Sequence, residues 1–363
     1  MLLRKGKNMS AVYPSLSAAS GVIPRLMHQL WLLGRQVLWR LPMLALVSLI
    51  VFIILRAIPV DPVAMLLPPG ATQEDIHALT AELGLDRNIA IQFLIWLKQA
   101  VQLDFGISIQ NGMPVSTMVA DALPMTVQLL IFGFITGIAL GIATGLLTFK
   151  FRGTRLEKPL LLLNGIMIAI PDYLWAIILI VIFGVGLQWL PFLGPVGASI
   201  SIEHITGFLL LDSLLTANWE GFFSALSHLL LPSLTLGLVI ATPIARMAYS
   251  SLCEVYREDY IHAAQLRGLS KNRVLLHHAL RNASLPTVSL IGVQASVIIG
   301  GTLLIEAIFG LPGIGNLMIK AMRSFDMQVI QALALTYAFT VQLINLFTDL
   351  ALYKLNPRLR IQP

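Results

Sequence analysis

Charged residues and cysteine are scarce in this chain. Only 12% of its 363 residues are charged, whereas 57% are hydrophobic. A soluble globular protein of this length needs more charge to cover its surface, so the composition indicates a protein that crosses a membrane several times. The single cysteine, Cys253, excludes an internal disulfide framework and a cysteine-rich metal site.

Motifs for catalytic chemistry are absent as well. The chain carries no Walker motif, kinase signature, zinc-ligand pair or Ser/His/Asp arrangement. His277 and His278 are adjacent, and adjacent residues project from different faces of a helix, so they form a poor chelating pair. We therefore predict no catalytic, cofactor-binding or metal-binding residue and no enzymatic activity in this chain. The net charge of +6 does not indicate nucleic acid, because the basic residues fall in particular loops, as membrane topology predicts.

The apolar runs predict an all-α protein with six transmembrane helices. An amphipathic run from Ile23 to Leu41, with Trp31 and Trp39, predicts an N-terminal elbow helix on the cytoplasmic surface. The predicted domains are a cytoplasmic N-terminus (1–40), a first transmembrane helix (41–58), an external loop domain (59–123) and a core domain (124–363) whose polar central loop is 246–284. The five spans of the core domain are predicted at about 124–148, 159–190, 228–245, 285–304 and 329–352.

Charge predicts the orientation of these spans. Residues 1–40 contain six basic residues and no acidic residue, whereas the loop 59–123 contains seven acidic residues and two basic ones. Basic residues are enriched on the cytoplasmic side of bacterial membrane proteins. With six spans, we therefore predict that both termini are cytoplasmic.

Two predicted spans carry features beyond hydrophobicity. In the second, glycines recur every fourth residue at Gly133, Gly137, Gly141 and Gly145, a spacing that permits close helix packing in a bilayer. In the third, Ile170-Pro171-Asp172 interrupts a run too long for one straight helix, so we predict a kinked or broken helix. Asp172 either caps the helix that restarts there, pairs with another subunit, or contacts a cationic group of a substrate in the pathway.

The polar segment Asp259–Pro286 lies between two long apolar segments. Ile261, Ala264, Leu266 and Leu269 follow helical spacing, and Gly268 ends or bends that first helix. A second helix is predicted to begin near Ser270, and Leu285-Pro286 is predicted to open the next span. The segment thus predicts two short helices joined by a glycine turn on one membrane face, a shape suited to docking a partner. An ordinary amphipathic connector is the alternative.

Three segments carry a resemblance to a known family. The first is Tyr260–Ser270 with His278–Ala283 and Leu285-Pro286, which resembles the cytoplasmic signature loop of ABC-importer permeases of the dipeptide, oligopeptide and nickel branch. His262 stands where the general signature has glutamate. The external loop resembles the same branch at Asp61-Pro62, Leu83–Arg87, Gln92–Leu94, Trp96-Leu97, Asp104–Ser108, Pro114-Val115 and Leu123–Thr126. The third segment, Glu306–Asn316, resembles the family pattern of Glu, Phe and Pro-Gly-x-Gly, which predicts a sharp external turn before a short re-entrant or surface helix.

The resemblance implies a type I ABC importer permease fold, a location in the bacterial inner membrane and a set of partners. These are a second, homologous permease subunit, two cytoplasmic ATPase subunits that bind ATP and magnesium, and an external solute-binding protein. The loop domain is implied to receive the binding protein; the alternative is that it only packs as a cap on the helices. The implied ATPase-coupling residues are Tyr260, Ala263, Ala264, Arg267, Gly268 and Leu269. The candidate residues for the translocation pathway or gate are Asp172, Glu306, Phe309, Pro312 and Gly313.

Several functions remain open from the sequence. The resemblance implies import of short peptides, with nickel or a metal chelate as the alternative cargo. An ion-coupled secondary transporter is a different class, but it would normally show internal repeats and matched intramembrane charges, and we find no convincing repeat. A membrane scaffold would leave the polar central segment unexplained.

Overall fold

The structure is a computed structural model that describes residues 22–57, 72–82 and 86–355. The predictions for residues 1–21, for Asp61-Pro62, for Leu83 to Leu85 and for the C-terminal Arg358 and Arg360 lie outside the described residues. Within those ranges the regular elements are helices, with one isolated bridge between Ile107 and Pro114. The all-α prediction is confirmed.

The helices follow one another along the chain, and the segment 187–208 is a long connection without regular helix. We number them α1 (Val22–Ala57), α2 (Gln73–Glu82), α3 (Ile89–Val101), α4 (Val115–Lys150), α5 (Glu157–Ala169), α6 (Asp172–Leu179), α7 (Leu209–Leu215), α8 (Trp219–Val255), α9 (Asp259–Leu266), α10 (Lys271–Arg273), α11 (Leu280–Ile308), α12 (Ile314–Arg323) and α13 (Met327–Leu355). π-helical segments extend α6 (Ile180–Gly186) and join α10 to α11 (Val274–Ala279).

Five helices of the described chain are long and apolar enough to cross a membrane, and the bent pair α5–α6 gives six if it counts as one span. The two members of that pair meet at an angle of 108°. The break falls at Ile170-Pro171, because proline lacks the N–H that would continue the helical bonding. The predicted interruption of the third span is therefore confirmed.

Some predicted boundaries are wrong. Pro286 does not open the fifth span but lies inside α11, and the helical run that contains it begins at Lys271. Pro124 likewise lies inside α4, which begins at Val115. Hydrophobicity marks only the part of a helix that crosses the hydrocarbon, and a proline inside a membrane helix is tolerated when its neighbours satisfy the freed carbonyl.

Helix α1 contains the first span. It extends from Val22 to Ala57, with Pro42 inside it. The part that qualifies as a membrane span is Leu38–Ala57. The division predicted between residues 40 and 41 stays a prediction.

Helices α4 and α8 pack along the glycine-rich face that the sequence indicated. Gly133, Gly137, Gly141 and Gly145 are buried in α4. A Cβ on Gly137 would lie 2.8 Å from the carbonyl oxygen of Gly237 in α8, so the two backbones touch. The hydroxyl of Thr136 also donates to the carbonyl of Ser233 across this contact at 2.9 Å. The predicted close packing of small residues is confirmed.

The apolar segment near residue 210 packs on the body of the protein. Helix α7 buries Leu209, Leu210 and Asp212. Both carboxylate oxygens of Asp212 accept hydrogen bonds from the preceding turn, including those from the backbone N–H groups of Thr206 and Gly207. Burial opposes the charged form of Asp212, but the hydrogen bonds from Thr206 and its neighbours outweigh this effect and lower the pKa of the carboxyl.

Candidate functional site

The polar segment after α8 is built on its own small core. Helix α9 buries Ile261 and Ala264, and the turn that follows it places Leu269 against the same cluster. The other buried residues of this cluster are Phe149, Leu252, Val274, Ala279 and Ala283, which come from α4, α8, the π-helical segment and α11. The segment is therefore held rigidly on the ends of three long helices.

The outward face of α9 is exposed and partly apolar. Tyr260, Ala263 and Arg267 are exposed, and Leu266 is 90% exposed. Leu266 does not share the buried face of Ile261, because it stands five residues after Ile261 and so about 140° around the helix from it. Ala264 is buried in this core, and its predicted role in coupling stays a prediction. Leu266 was missed as a candidate contact, although its angular position on the helix would have indicated it.

A glycine turn fixes the direction in which α9 projects. Gly268 has a φ of +75°, a backbone conformation that glycine adopts without strain. Its N–H donates to the carbonyl of Gln265 at 2.9 Å, which closes α9. Ser270 then starts the next helix, as predicted. The Nδ2 of Asn282 in α11 donates to the Tyr260 hydroxyl at 2.8 Å and ties α9 to the following span.

Gly268 gives a prediction that depends only on backbone conformation. No atom lies within 4 Å of the position that a Cβ would occupy, so a side chain meets no steric obstacle there. A left-handed conformation costs a β-branched residue more than about 1–2 kcal/mol, and asparagine much less. We expect Gly268→Val to reduce substrate uptake strongly and Gly268→Asn to retain most of it, at equal membrane levels of the protein. Equal uptake by the two variants would contradict this role of the turn.

A second candidate site joins α11, α12 and α4 around Glu306. The Glu306 side chain is fully buried. One carboxylate oxygen accepts from the Thr126 hydroxyl at 2.6 Å, and the other accepts from the backbone N–H groups of Gly315 at 2.7 Å and Asn316 at 3.2 Å. Thr126 Oγ1 in turn accepts from the N–H of Ile314 at 2.9 Å. Together these two side chains satisfy the first three N–H groups of α12.

This arrangement explains the glycines of the Pro-Gly-x-Gly pattern. A Cβ on Gly313 would lie 2.3 Å from Glu306 Oε2, and a Cβ on Gly315 would lie 2.6 Å from the Cα of Leu303. Only glycine lets the start of α12 approach the carboxylate and α11 this closely. The predicted sharp turn before a short helix is confirmed, and Gly310 makes it with a φ of +65°.

The comparisons with known proteins agree with this geometry. Residues 137–361 match the family described as binding-protein-dependent transport system inner membrane component, and residues 29–130 match the N-terminal family of the same membrane component. The first match alone covers more than half of the chain. The chain belongs to this family. The resemblance to ABC-importer permeases of the peptide branch is confirmed.

Relatives of this permease extend over most of its length. The di/tripeptide transport system permease protein DppB of Pseudomonas aeruginosa is 34% identical over 317 residues, which cover 87% of this chain and 94% of the relative. DppB of Escherichia coli K12, a dipeptide transport system permease protein, is 34% identical over 318 residues, covering 86% and 94%. The glutathione transport system permease protein GsiC of the same strain is 31% identical over 326 residues, covering 90% and 97%.

The fold of the permease resembles that of a solved ABC importer. An inward-facing structure of the MetNI methionine ABC transporter superposes with a TM-score of 0.50 at 15% identity, covering 66% of this chain and 96% of that one. This likeness supports the type I importer fold predicted from the sequence.

The pathway candidates of the permease differ in accessibility. Glu306, Phe309 and Gly313 are buried inside the chain, whereas Pro312 is exposed. Pro312 lines a cavity of about 300 Å³ together with residues of α4 and of the segment before α7. Asp121 and His204 are the ionisable residues that line it. The role of the four candidates in the pathway stays a prediction. The buried candidates lie where α11 meets the start of α12, and they position α12.

Asp172 lies at the start of α6, directly after the break in the third span. Its side chain is half-buried, and its Oδ1 accepts from the N–H of Tyr173 at 2.8 Å. A Cβ on Gly301 in α11 would lie 3.1 Å from its Oδ2. Pro171 holds the N-cap position, and Asp172 is the first residue of α6. Whether Asp172 caps the helix, contacts a substrate or pairs with another subunit stays a prediction.

A buried contact that the sequence did not indicate joins the loop 59–123 to the last span. The Ser108 hydroxyl donates to Oδ2 of Asp326 at 2.5 Å, and both residues are buried. Oδ1 of Asp326 accepts from the N–H of Val329 at 3.4 Å, near the start of α13. The two residues are 218 positions apart, and neither stands in a motif that pairs them.

Proposed function

We propose that this chain is the transmembrane permease subunit of an ATP-driven importer and forms half of a translocation pathway for short peptides. The observation that carries the proposal is the exposed docking face of α9, held rigidly on a buried core at the ends of α4, α8 and α11. The relatives named as dipeptide, di/tripeptide and glutathione permeases support a peptide substrate over nickel or a metal chelate.

The energy for transport is proposed to come from separate subunits. Two cytoplasmic ATPases bind ATP and magnesium, and one of them seats α9 in a groove. ATP favours the closed ATPase dimer, and α9 transmits that preference to the membrane helices as a shift between inward-facing and outward-facing states. A second, homologous permease completes the pathway, and an external binding protein delivers the substrate. Both termini are proposed to be cytoplasmic, which places α9 on the ATPase side.

Leu266 provides a direct test of the docking face. Because its side chain is 90% exposed, Leu266→Asp should leave the folding of the chain unaffected. Placing a charge in a desolvated contact costs several kcal/mol and should remove the ATPase. We expect the tagged variant, purified in mild detergent from its native membranes, to lose the co-purifying ATPases and its substrate uptake.

Leu103→Asp is the matched control for this test. Leu103 is 69% exposed and lies in the external loop, on the opposite side of the proposed membrane topology. The Leu103→Asp variant should co-purify with the ATPases at wild-type stoichiometry. If Leu266→Asp retained both ATPases and uptake, α9 would not be the docking element.

Mass spectrometry of the ligand retained by a co-purifying binding protein would distinguish a peptide from a metal chelate.

A further inference from the structure

Helix α3 is apolar around most of its circumference, although it lies in a loop. Its sequence, Ile89–Val101, contains no acidic residue and one basic residue, Lys98 in the last turn. A run of this length is too short to cross a bilayer and is typical of a buried or an interfacial helix. A helix in water would instead show a broad polar face opposite its packed side.

One side of α3 packs on the first membrane span. The rings of Phe93 and Trp96 lie 5.5 Å and 5.9 Å from the ring of Phe52 in α1. Phe52 is 1% exposed and lies inside the apolar span, five residues before Ala57, at which the described part of α1 stops. At 1.5 Å per residue, this contact lies at least about 7 Å inside the span, within the hydrocarbon or at its edge. The depth of α3 is therefore fixed by its contact with a membrane helix.

The other side of α3 is apolar and uncovered. Ile91 is 46% exposed, Leu94 62% and Val101 78%, and they follow helical spacing around the side opposite Phe93 and Trp96. A contiguous apolar surface of this kind marks contact with a membrane or another protein. Lys98 stands on the same side, where its long side chain can extend toward the headgroups.

We propose that α3 is an interfacial helix whose Leu94 face is seated in the lipid of the leaflet at the Ala57 end of α1. In the proposed topology this is the outer leaflet. The loop 59–123 would then have two attachments, one to the bilayer and one to the last span. Its α3 portion anchors the loop to the bilayer beside α1, while the segment around Ser108 is tied to Asp326 at the start of α13. Lipid is the occupant favoured by the depth of the Phe52 contact and by the absence of acidic residues from α3.

Collision-accessibility measurements on spin labels test this proposal. The single native cysteine of this chain allows a Cys253→Ser background, into which Leu94→Cys and Val101→Cys are introduced. They are labelled in a transporter whose partner subunits have had their own cysteines replaced. The complete transporter is purified without its binding protein and reconstituted in nanodiscs. Ile54→Cys in α1, 56% exposed within the span, is the lipid reference, and Glu203→Cys in an exposed loop is the water reference. Oxygen and a water-soluble nickel chelate are the two relaxing agents.

Seating in lipid predicts that labels at Leu94 and Val101 are more accessible to oxygen than to the nickel chelate, as at Ile54. Accessibility to the chelate equal to that at Glu203 would place α3 in water and overturn the proposal. Low accessibility to both agents, with an immobilised label, would show that protein covers the face, such as the second permease, and would overturn it as well. None of these outcomes depends on transport activity, so the result is separate from the fate of the proposed function.

Discussion

Gly141→Leu is expected to prevent the chain from reaching a stable folded state. A Cβ at this position would lie 2.7 Å from the carbonyl oxygen of Ala241 and 2.7 Å from the Cβ of Ile244. Neither atom can move aside unless the α8 backbone moves with it. Overpacking a side chain against movable neighbours costs about 1–3 kcal/mol, and here the two helices must separate, which adds the loss of their whole interface. That loss is large beside a total stability of about 5–15 kcal/mol.

Gly300→Leu is the control for this prediction. Gly300 lies in another membrane helix, α11, and no atom stands within 4 Å of the corresponding Cβ. The change in residue is identical, so the comparison isolates packing against a neighbour. We expect Gly300→Leu to give a monodisperse chain in detergent with a nearly unchanged unfolding temperature, and Gly141→Leu to give aggregated or degraded protein. Similar yields and unfolding temperatures for the two variants would show that the α4–α8 contact is not limiting.

Features that arise from local chemistry could be predicted from the sequence. The break at Pro171 follows from the missing proline N–H, and the turn at Gly268 follows from a backbone conformation that glycine tolerates. The glycines at intervals of four in α4 indicated close packing, because side chains so spaced share one helix face. Each of these inferences needs only residues near one another in the chain, which is why the structure confirmed them.

Features that depend on distant residues could not be predicted. The pairing of Ser108 with Asp326 has no local signature, and the burial of Glu306 depends on Thr126, which is 180 positions away. The family pattern of Glu, Phe and Pro-Gly-x-Gly suggested Glu306 as a pathway residue. Its three hydrogen-bond donors become visible only when α4 and α12 are placed together. The predicted helix limits at Pro124 and Pro286 were wrong for another reason. High hydropathy marks only the part of a helix inside the lipid, whereas the helices extend beyond it.

Glu306→Ala is the second change for which we expect a large effect. The substitution leaves the Thr126 hydroxyl and the N–H groups of Gly315 and Asn316 without their acceptor in a fully buried place. Each unsatisfied buried group costs about 1–3 kcal/mol, and the lost side chain leaves a cavity as well. We expect a large fall in unfolding temperature together with release of the start of α12. Lys320 and Arg323 are exposed on that helix, so trypsin should cleave there faster than in the wild type.

Glu306→Gln separates the roles of charge and of hydrogen bonding. The amide oxygen can still accept from Gly315 and Asn316, but the amide nitrogen faces the Thr126 hydroxyl, which already accepts from Ile314. An uncharged acceptor at a helix N-terminus also loses about 0.3–1 kcal/mol of interaction with the helix dipole. Glu306→Gln should therefore give an unfolding temperature and a rate of trypsin cleavage between those of the wild type and Glu306→Ala. The control Glu203→Ala, which removes an exposed carboxylate, should match the wild type in both. If Glu306→Ala unfolds and is cleaved like Glu203→Ala, the carboxylate does not hold α12, and the glycines at 313 and 315 need another explanation.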